Sequence, residues 1–254
     1  MKSIDRPRKP VAYKNERFLD SDDARPLRIL AEYLEPMHTF NREHVCDTIV
    51  FFGSARAAAP GPLSNYYDAA RELARLVAVW SKSVPSHATR YVVCTGGGGG
   101  IMEAANRGAS EAGCKTIGLN IGLPHEQRPN RYVTRELTFE FHYFFMRKLW
   151  FAHMARALVV FPGGFGTLDE LTEILTLMQT KKIDRQIPVV LYGSSYWKEI
   201  INFDALVRHG MIEQKDLALF QFADDPATAL ELLQAGIEAE PVERIPAIAR
   251  TRHC

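Results

Sequence analysis

Two short stretches of the chain carry residue types suited to chemistry on a phosphorylated molecule. In the first, Pro162-Gly163-Gly164-Phe165-Gly166-Thr167 leads into an apolar-periodic run that contains Glu170. A rigid, nearly side-chain-free turn of this kind opens a helix, with Thr167 near its N-cap and Glu170 about one turn in. Free N–H groups at a helix start, aided by the helix dipole, bind phosphate, and the Thr167 hydroxyl adds a donor. Glu170 would then lie a few ångströms from the sugar of the same ligand. The same spacing, Thr followed three residues later by Glu, is also that of a capping box, which would only stabilise the helix. The second stretch is Met146-Arg147-Lys148, with Arg147 twenty-three positions before Glu170. A guanidinium stays protonated, so Arg147 would hold phosphate, a hydroxyl or Glu170 by forked hydrogen bonds. A solvated Arg-Lys pair on a helix surface is the plainer alternative.

Two further loops are equally poor in side chains: Gly53-Ser54-Ala55, and the five glycines Gly96 to Gly100, with Gly97 and Gly98 at their centre. Glycines of this kind can simply make tight turns. Three such loops opening on one sheet edge would instead let backbone approach an anion from several sides. The pattern lacks the acidic residue that follows a dinucleotide fingerprint and the Lys-Ser/Thr of a P-loop.

The elements that must position these loops are legible from periodicity. Short β-rich runs at Asp47–Phe52, Tyr91–Cys94, Thr116–Asn120, Leu137–Phe141, Ala157–Phe161, Ile187–Leu191 and Ala218–Phe222 predict strands. Helical spacing predicts helices at Pro26–Met37, Tyr66–Trp80, Met102–Ala112, Phe144–Ala155, Leu168–Gln179, Tyr196–His209 and Pro226–Ile237. Alternation of this kind specifies an α/β fold, a Rossmann-like parallel sheet of about seven strands covered by helices on both faces, in a single domain. Residues 1–44 read as an arm and peripheral helix, 45–240 as the domain proper, and 241–254 as a tail.

Composition narrows the function classes. An apolar share of 46% and a charged share of 24% suit a well-filled core, and 31 Lys and Arg against 30 Asp and Glu leave a net charge of +1. Balanced charge gives no general attraction to nucleic acid or to an anionic membrane, so an anion site must be local. The apolar runs fall far short of the ~20 residues a membrane helix needs. The basic start, MKSIDRPRKP, is not followed by the apolar stretch of a secretory leader, and cytoplasmic residence is expected. Cys46, Cys94, Cys114 and Cys254 are widely spaced, with no His at metal-ligand spacing. The first three read as buried thiols and the last as a tail residue, and no metal is expected. His142 and His153 read as pocket-wall or core residues.

The segments GGGGGIMEAANRGA (Gly96–Ala109), Met146-Arg147-Lys148 and PGGFGTLDE (Pro162–Glu170) resemble the LONELY GUY family of cytokinin riboside 5′-monophosphate phosphoribohydrolases, whose members are often labelled "lysine decarboxylase". The resemblance extends from Thr48 to about Leu206. It implies hydrolysis of the N-glycosidic bond of a purine nucleoside 5′-monophosphate to free base and ribose 5-phosphate, without a cofactor, by a homodimer or a higher assembly. It assigns catalysis to Arg147 and Glu170. It places Lys148, Gly164, Phe165, Gly166, Thr167 and Thr176 at substrate-binding positions, and Glu126 at a ribose or base contact; Gly53, Ser54, Gly97, Gly98 and Gly163 of the glycine loops, with Met146 and Glu173, complete the expected substrate-binding set. The N-terminal arm, the run Phe141-His142-Tyr143-Phe144-Phe145 and the longer C-terminal portion resemble the longer bacterial type. The competing function is a non-catalytic carrier of a nucleotide or phosphorylated cofactor on the same fold. A pyridoxal-phosphate decarboxylase finds no support, because Lys148 has no pyridinium-partner pattern around it.

Overall fold

The computed structural model describes residues 9–57, 61, 63–86, 88–122, 128–183 and 185–239. Chain order is α1 (Glu16–Leu19), α2 (Arg25–Arg42), β1 (Thr48–Phe52), α3 (Ser64–Ser83), β2 (Val92–Thr95), α4 (Ile101–Glu111), β3 (Thr116–Ile121), β4 (Thr138–Phe141), α5 (Phe144–Met154), β5 (Ala155–Val160), α6 (Phe165–Gln179), β6 (Val189–Tyr192), α7 (Ser194–Ile200), α8 (Phe203–Arg208), β7 (Gln221–Ala223) and α9 (Pro226–Glu238). The strands form one seven-stranded sheet in the order β4-β3-β2-β1-β5-β6-β7, with every neighbour parallel.

β1 is buried along its whole length because both faces are covered. Its side chains alternate between two cores, as the strand period of two requires. Ile49 and Phe51 join Leu73 and Val77 of α3, Ala104 and Ala105 of α4, and Leu233 of α9. Val50 and Phe52 join Phe40 of α2, Trp150 and Phe151 of α5, Leu171 and Ile174 of α6, and Trp197 of α7. From β1 the chain winds outward to β4, then crosses back to lay β5 on the other side of β1. The loops that follow β1 and β5 therefore diverge, which opens a crevice at the carboxyl ends of these two strands, where open α/β sheets bind ligands.

Four expectations need correction. The helix expected over Pro26–Met37 runs five residues further, to Arg42, with Pro36 inside it. The segment expected as one helix from Tyr196 to His209 is two, because the Asn202 side chain accepts a hydrogen bond from the Ala205 N–H and starts a new N-terminus. In place of a strand over Ala218–Phe222, a 3-10 segment (Gln214–Leu219) closed by a Glu213/Asp216 capping box precedes a three-residue strand. The cysteines are not three free thiols: Cys46 is disulfide-bonded, Cys94 is free and buried, and Cys114 is free and half-buried. Among the described residues no helix is long and apolar enough to cross a membrane.

Candidate active site at the sheet crevice

α6 begins at Phe165 with Gly164 as its N-cap, and no side chain caps it. The expected N-cap, Thr167, lies inside the first turn, and the Thr167/Glu170 capping box does not form. Glu170 is thus released for another partner. Gly163 is required by packing: a Cβ there would collide with the Thr167 hydroxyl oxygen. Its carbonyl accepts a 2.7 Å hydrogen bond from the Tyr196 hydroxyl of α7, which fixes the loop from behind. On the other side of the crevice, the Ser54 N–H donates to the Pro162 carbonyl at 3.0 Å, so the β1 and β5 loops are tied where they part.

α5, which carries Arg147, also lacks a side-chain cap from its own sequence. Glu32 of α2 supplies one from outside, accepting hydrogen bonds from the N–H groups of His142 (2.7 Å) and Tyr143 (3.2 Å). A carboxylate at a helix N-terminus satisfies orphan donors and complements the dipole. The Trp150 indole N–H donates to the Glu32 carbonyl at 3.0 Å. The peripheral helix α2 is in this way part of the scaffold that aims Arg147.

The two loops and two helices enclose a cleft of about 270 Å³ lined by Phe52, Gly53, Ser54, Ala55, Arg56, Gly96, Met102, Arg147, Phe151, Gly164, Gly166, Thr167 and Glu170. Within it, Arg147 donates from Nη2 to Glu170 Oε1 at 3.2 Å. The guanidinium also sits over the rings of Phe144 (5.2 Å) and Phe151 (5.7 Å), and its Nε is buried without a hydrogen-bond partner. Burial pushes the Glu170 carboxyl up to about 7, although Arg147 and then Lys148 act to hold it down. A buried carboxyl poised near neutrality beside a fixed cation is a common signature of a reactive site.

The structure gathers Arg147, Glu170, Gly53, Ser54, Gly164, Gly166 and Thr167 around one cleft, with Gly163 directly behind it. It sets the other candidates elsewhere. Gly97 and Gly98 are buried behind the lining residue Gly96, where the Asn130 side chain donates to both of their carbonyls, at 3.1 and 3.0 Å. Met146 is in the hydrophobic core. Phe165 projects into solvent, 92% exposed. Thr176 is exposed, its hydroxyl donating to the Thr172 carbonyl. Lys148 faces away from the cleft and bonds Asp169 at 2.7 Å and Glu173 at 2.9 Å. Burial acts to lower the Lys148 pKa, but the bonds to Asp169 and Glu173 outweigh it and the ammonium is raised overall, the reverse of what a Schiff-base lysine needs. Glu126 lies outside the described residues. His142 is exposed against Tyr143, and His153 packs edge-on against Trp150. Arg56, Met102 and Phe151 line the cleft without having been singled out in the sequence. The signal for Arg56 was its place directly after the Gly53-Ser54-Ala55 turn. Among the described residues no group of three or more His, Cys, Asp or Glu side chains could hold a metal ion.

A parallel α/β protein with a buried Arg-Glu pair between glycine loops at its switch point is the class that fold and site define. The chain belongs to the family described as "possible lysine decarboxylase", whose model matches residues 102–233. It is 29% identical over 182 residues to a cytokinin riboside 5′-monophosphate phosphoribohydrolase of Arabidopsis thaliana, covering 70% of this chain and 75% of that one. A probable enzyme of the same name from Oryza sativa subsp. japonica is 27% identical over 190 residues, covering 73% and 69%. Among solved structures, a Moco carrier protein from Chlamydomonas reinhardtii superposes with a TM-score of 0.51 at 25% identity, covering 76% of this chain and 98% of that one.

Proposed function

We propose that the protein hydrolyses the N-glycosidic bond of a purine nucleoside 5′-monophosphate, releasing the base and ribose 5-phosphate. The observation that carries this reading is the Arg147–Glu170 pair, buried in a cleft walled by the three glycine loops. Departure of a purine builds positive charge on the sugar, and a fixed carboxylate beside C1′ stabilises that charge more in the transition state than in the ground state. Glu170 takes this role and can also orient or deprotonate the attacking water. Arg147 holds the carboxylate in place and keeps part of it ionised near neutral pH. The amide groups of the α6 N-terminus grip the 5′-phosphate.

Incubation of the purified protein with AMP, followed by chromatography for adenine and ribose 5-phosphate, tests the reading. Equimolar release of the two is expected. Retention of intact AMP with tight binding would instead favour a carrier, the reading that the likeness to the Moco carrier protein supports. A homodimer fits the same reading, because α5 leaves Phe144, Phe145 and Leu149 exposed beside a groove that also contains Leu177 and Ile183. Sedimentation should then show twice the monomer mass.

The pH profile follows from the site. The ionised form of Glu170 is the one that stabilises a cationic sugar, so turnover should rise with pH through about 7. Lys148 helps to hold the Glu170 carboxyl down. In Lys148→Met the midpoint is therefore expected to move to higher pH, measured as kcat against pH. A midpoint that stays put, or one near the ordinary carboxylate range in the parent, would contradict this account.

A further inference from the structure

We propose that Arg56 is the side chain that meets the charge of the ligand's phosphate and so makes the cleft select a phosphomonoester over the free nucleoside. This rests on the nucleotide reading of the cleft and adds a residue to it.

The argument is one of charge inventory. A phosphomonoester carries up to two negative charges near neutral pH, whereas glycine-loop amides offer only partial ones. Among the described residues three cationic side chains lie near the cleft. Arg147 is committed to Glu170 at 3.2 Å and flanked by two phenyl rings. Lys148 is committed to Asp169 and Glu173 and does not line the cleft. Arg56 lines the cleft, is exposed, and forms no ion pair with any described residue. Its backbone is held, because its N–H donates to Ser54 Oγ at 3.0 Å and the neighbouring Ala57 is buried. Arg56 thus offers a free guanidinium on a fixed turn of the β1 loop, in a cleft that the amide-rich start of α6 also lines. A guanidinium can engage two phosphate oxygens at once, which a neutral sugar hydroxyl cannot reciprocate.

The test is calorimetric titration of AMP, ribose 5-phosphate and adenosine into the parent, Arg56→Ala and Arg56→Lys. Arg56→Ala is expected to weaken AMP and ribose 5-phosphate by roughly 10- to 100-fold, the size of one charge-assisted contact, and to leave adenosine unchanged. Arg56→Lys should fall between. The parent should lose AMP affinity with added salt more steeply than the alanine variant. Equal weakening of adenosine, or undiminished AMP binding by Arg56→Ala, would overturn the assignment. Binding is read separately from hydrolysis. Arg56-dependent AMP binding without adenine release would sink the hydrolase reading alone, and a parental kcat/KM for AMP hydrolysis in Arg56→Ala would sink this inference alone.

Discussion

Glu170→Gln is expected to fold normally, bind AMP near parental affinity, and lose roughly a thousandfold in turnover, about 4 kcal/mol of transition-state stabilisation. Glutamine preserves the shape of the side chain and can still accept from Arg147 through its amide oxygen. It removes only the negative charge that an electron-poor sugar would meet. The phosphate is gripped by groups the substitution does not touch, so the loss should fall on kcat and leave KM nearly unchanged. Turnover close to the parent's would take Glu170 out of the chemistry.

The same variant has a stability signature whose sign is fixed by the direction of the shift. Glu170 titrates at about 7 in the fold against an ordinary value of 4.5, because burial disfavours its charged form. Its contribution to stability is therefore full below about 4.5 and is lost as pH rises through about 7. Glutamine does not titrate. Relative to the parent, the variant should gain on the order of 2 to 3 kcal/mol between pH 4.5 and pH 8. The Arg147 attraction is already contained in the value of about 7, so what remains of the substitution, an amide in place of a neutral carboxyl, is an offset of the same size at every pH. Melting temperatures compared at the two ends separate the terms, and a gap between parent and variant that does not widen with pH would show that Glu170 is not buried as a carboxyl.

How far the sequence could be read depended on which physical rule governed each residue. The central strands were legible because each is a short apolar run ended by glycine, proline or a polar turn, and burial on both faces leaves such a run little else to become, whereas the partly exposed edge strand β7 was misplaced. That Arg147 and Glu170 could converge was legible from their spacing across adjacent loops, but the residues alone fitted a capping box and a solvated Arg-Lys pair as well, and it was the resemblance of the flanking segments that singled them out. The direction of Lys148 was not legible. Neighbouring residues on a helix point about 100° apart, so the turn that aims Arg147 at the cleft swings Lys148 toward the carboxylates of α6. The same rotation carries Thr176, six residues past Glu170, onto the solvent face. The sequence places the start of α6 at Leu168, three residues late, because a glycine N-cap gives no side-chain signal, whereas Thr167 resembles one. The only sequence signal for Arg56 is its place after the Gly53-Ser54-Ala55 turn, which a lone arginine shares with many solvated turns. Its meaning comes from the commitment of the other two cations, which only three dimensions show.

The glycine loops allow one more test, in which two substitutions of the same size should both weaken AMP binding but differ in their effect on stability. Gly100 adopts φ 63 and ψ −129, a region nearly closed to residues with a Cβ. A Cβ added there would strike the Ser54 carbonyl oxygen and lie 2.6 Å from the Ala55 carbonyl carbon. That Ser54 carbonyl already accepts the Ile101 N–H at 3.1 Å, so the β1 and β2 loops are pinned together where the methyl would go. Gly100→Ala should thus cost about 2 to 4 kcal/mol of stability and weaken AMP binding more than tenfold, because the β1 loop bearing Ser54 and Arg56 is pushed out of register. Gly166 is the contrasting position: it is inside the first turn of α6, and a Cβ there meets no atom of the described residues within 4 Å. Gly166→Ala should leave the melting temperature unchanged or raise it slightly, since alanine is favoured over glycine in a helix. Its methyl nonetheless enters space along the cleft wall, so AMP binding should weaken with stability intact. If Gly100→Ala is silent in thermal melting, steric closure of the two loops is not what shapes the cleft; if Gly166→Ala binds AMP as the parent does, the phosphate does not sit against the start of α6.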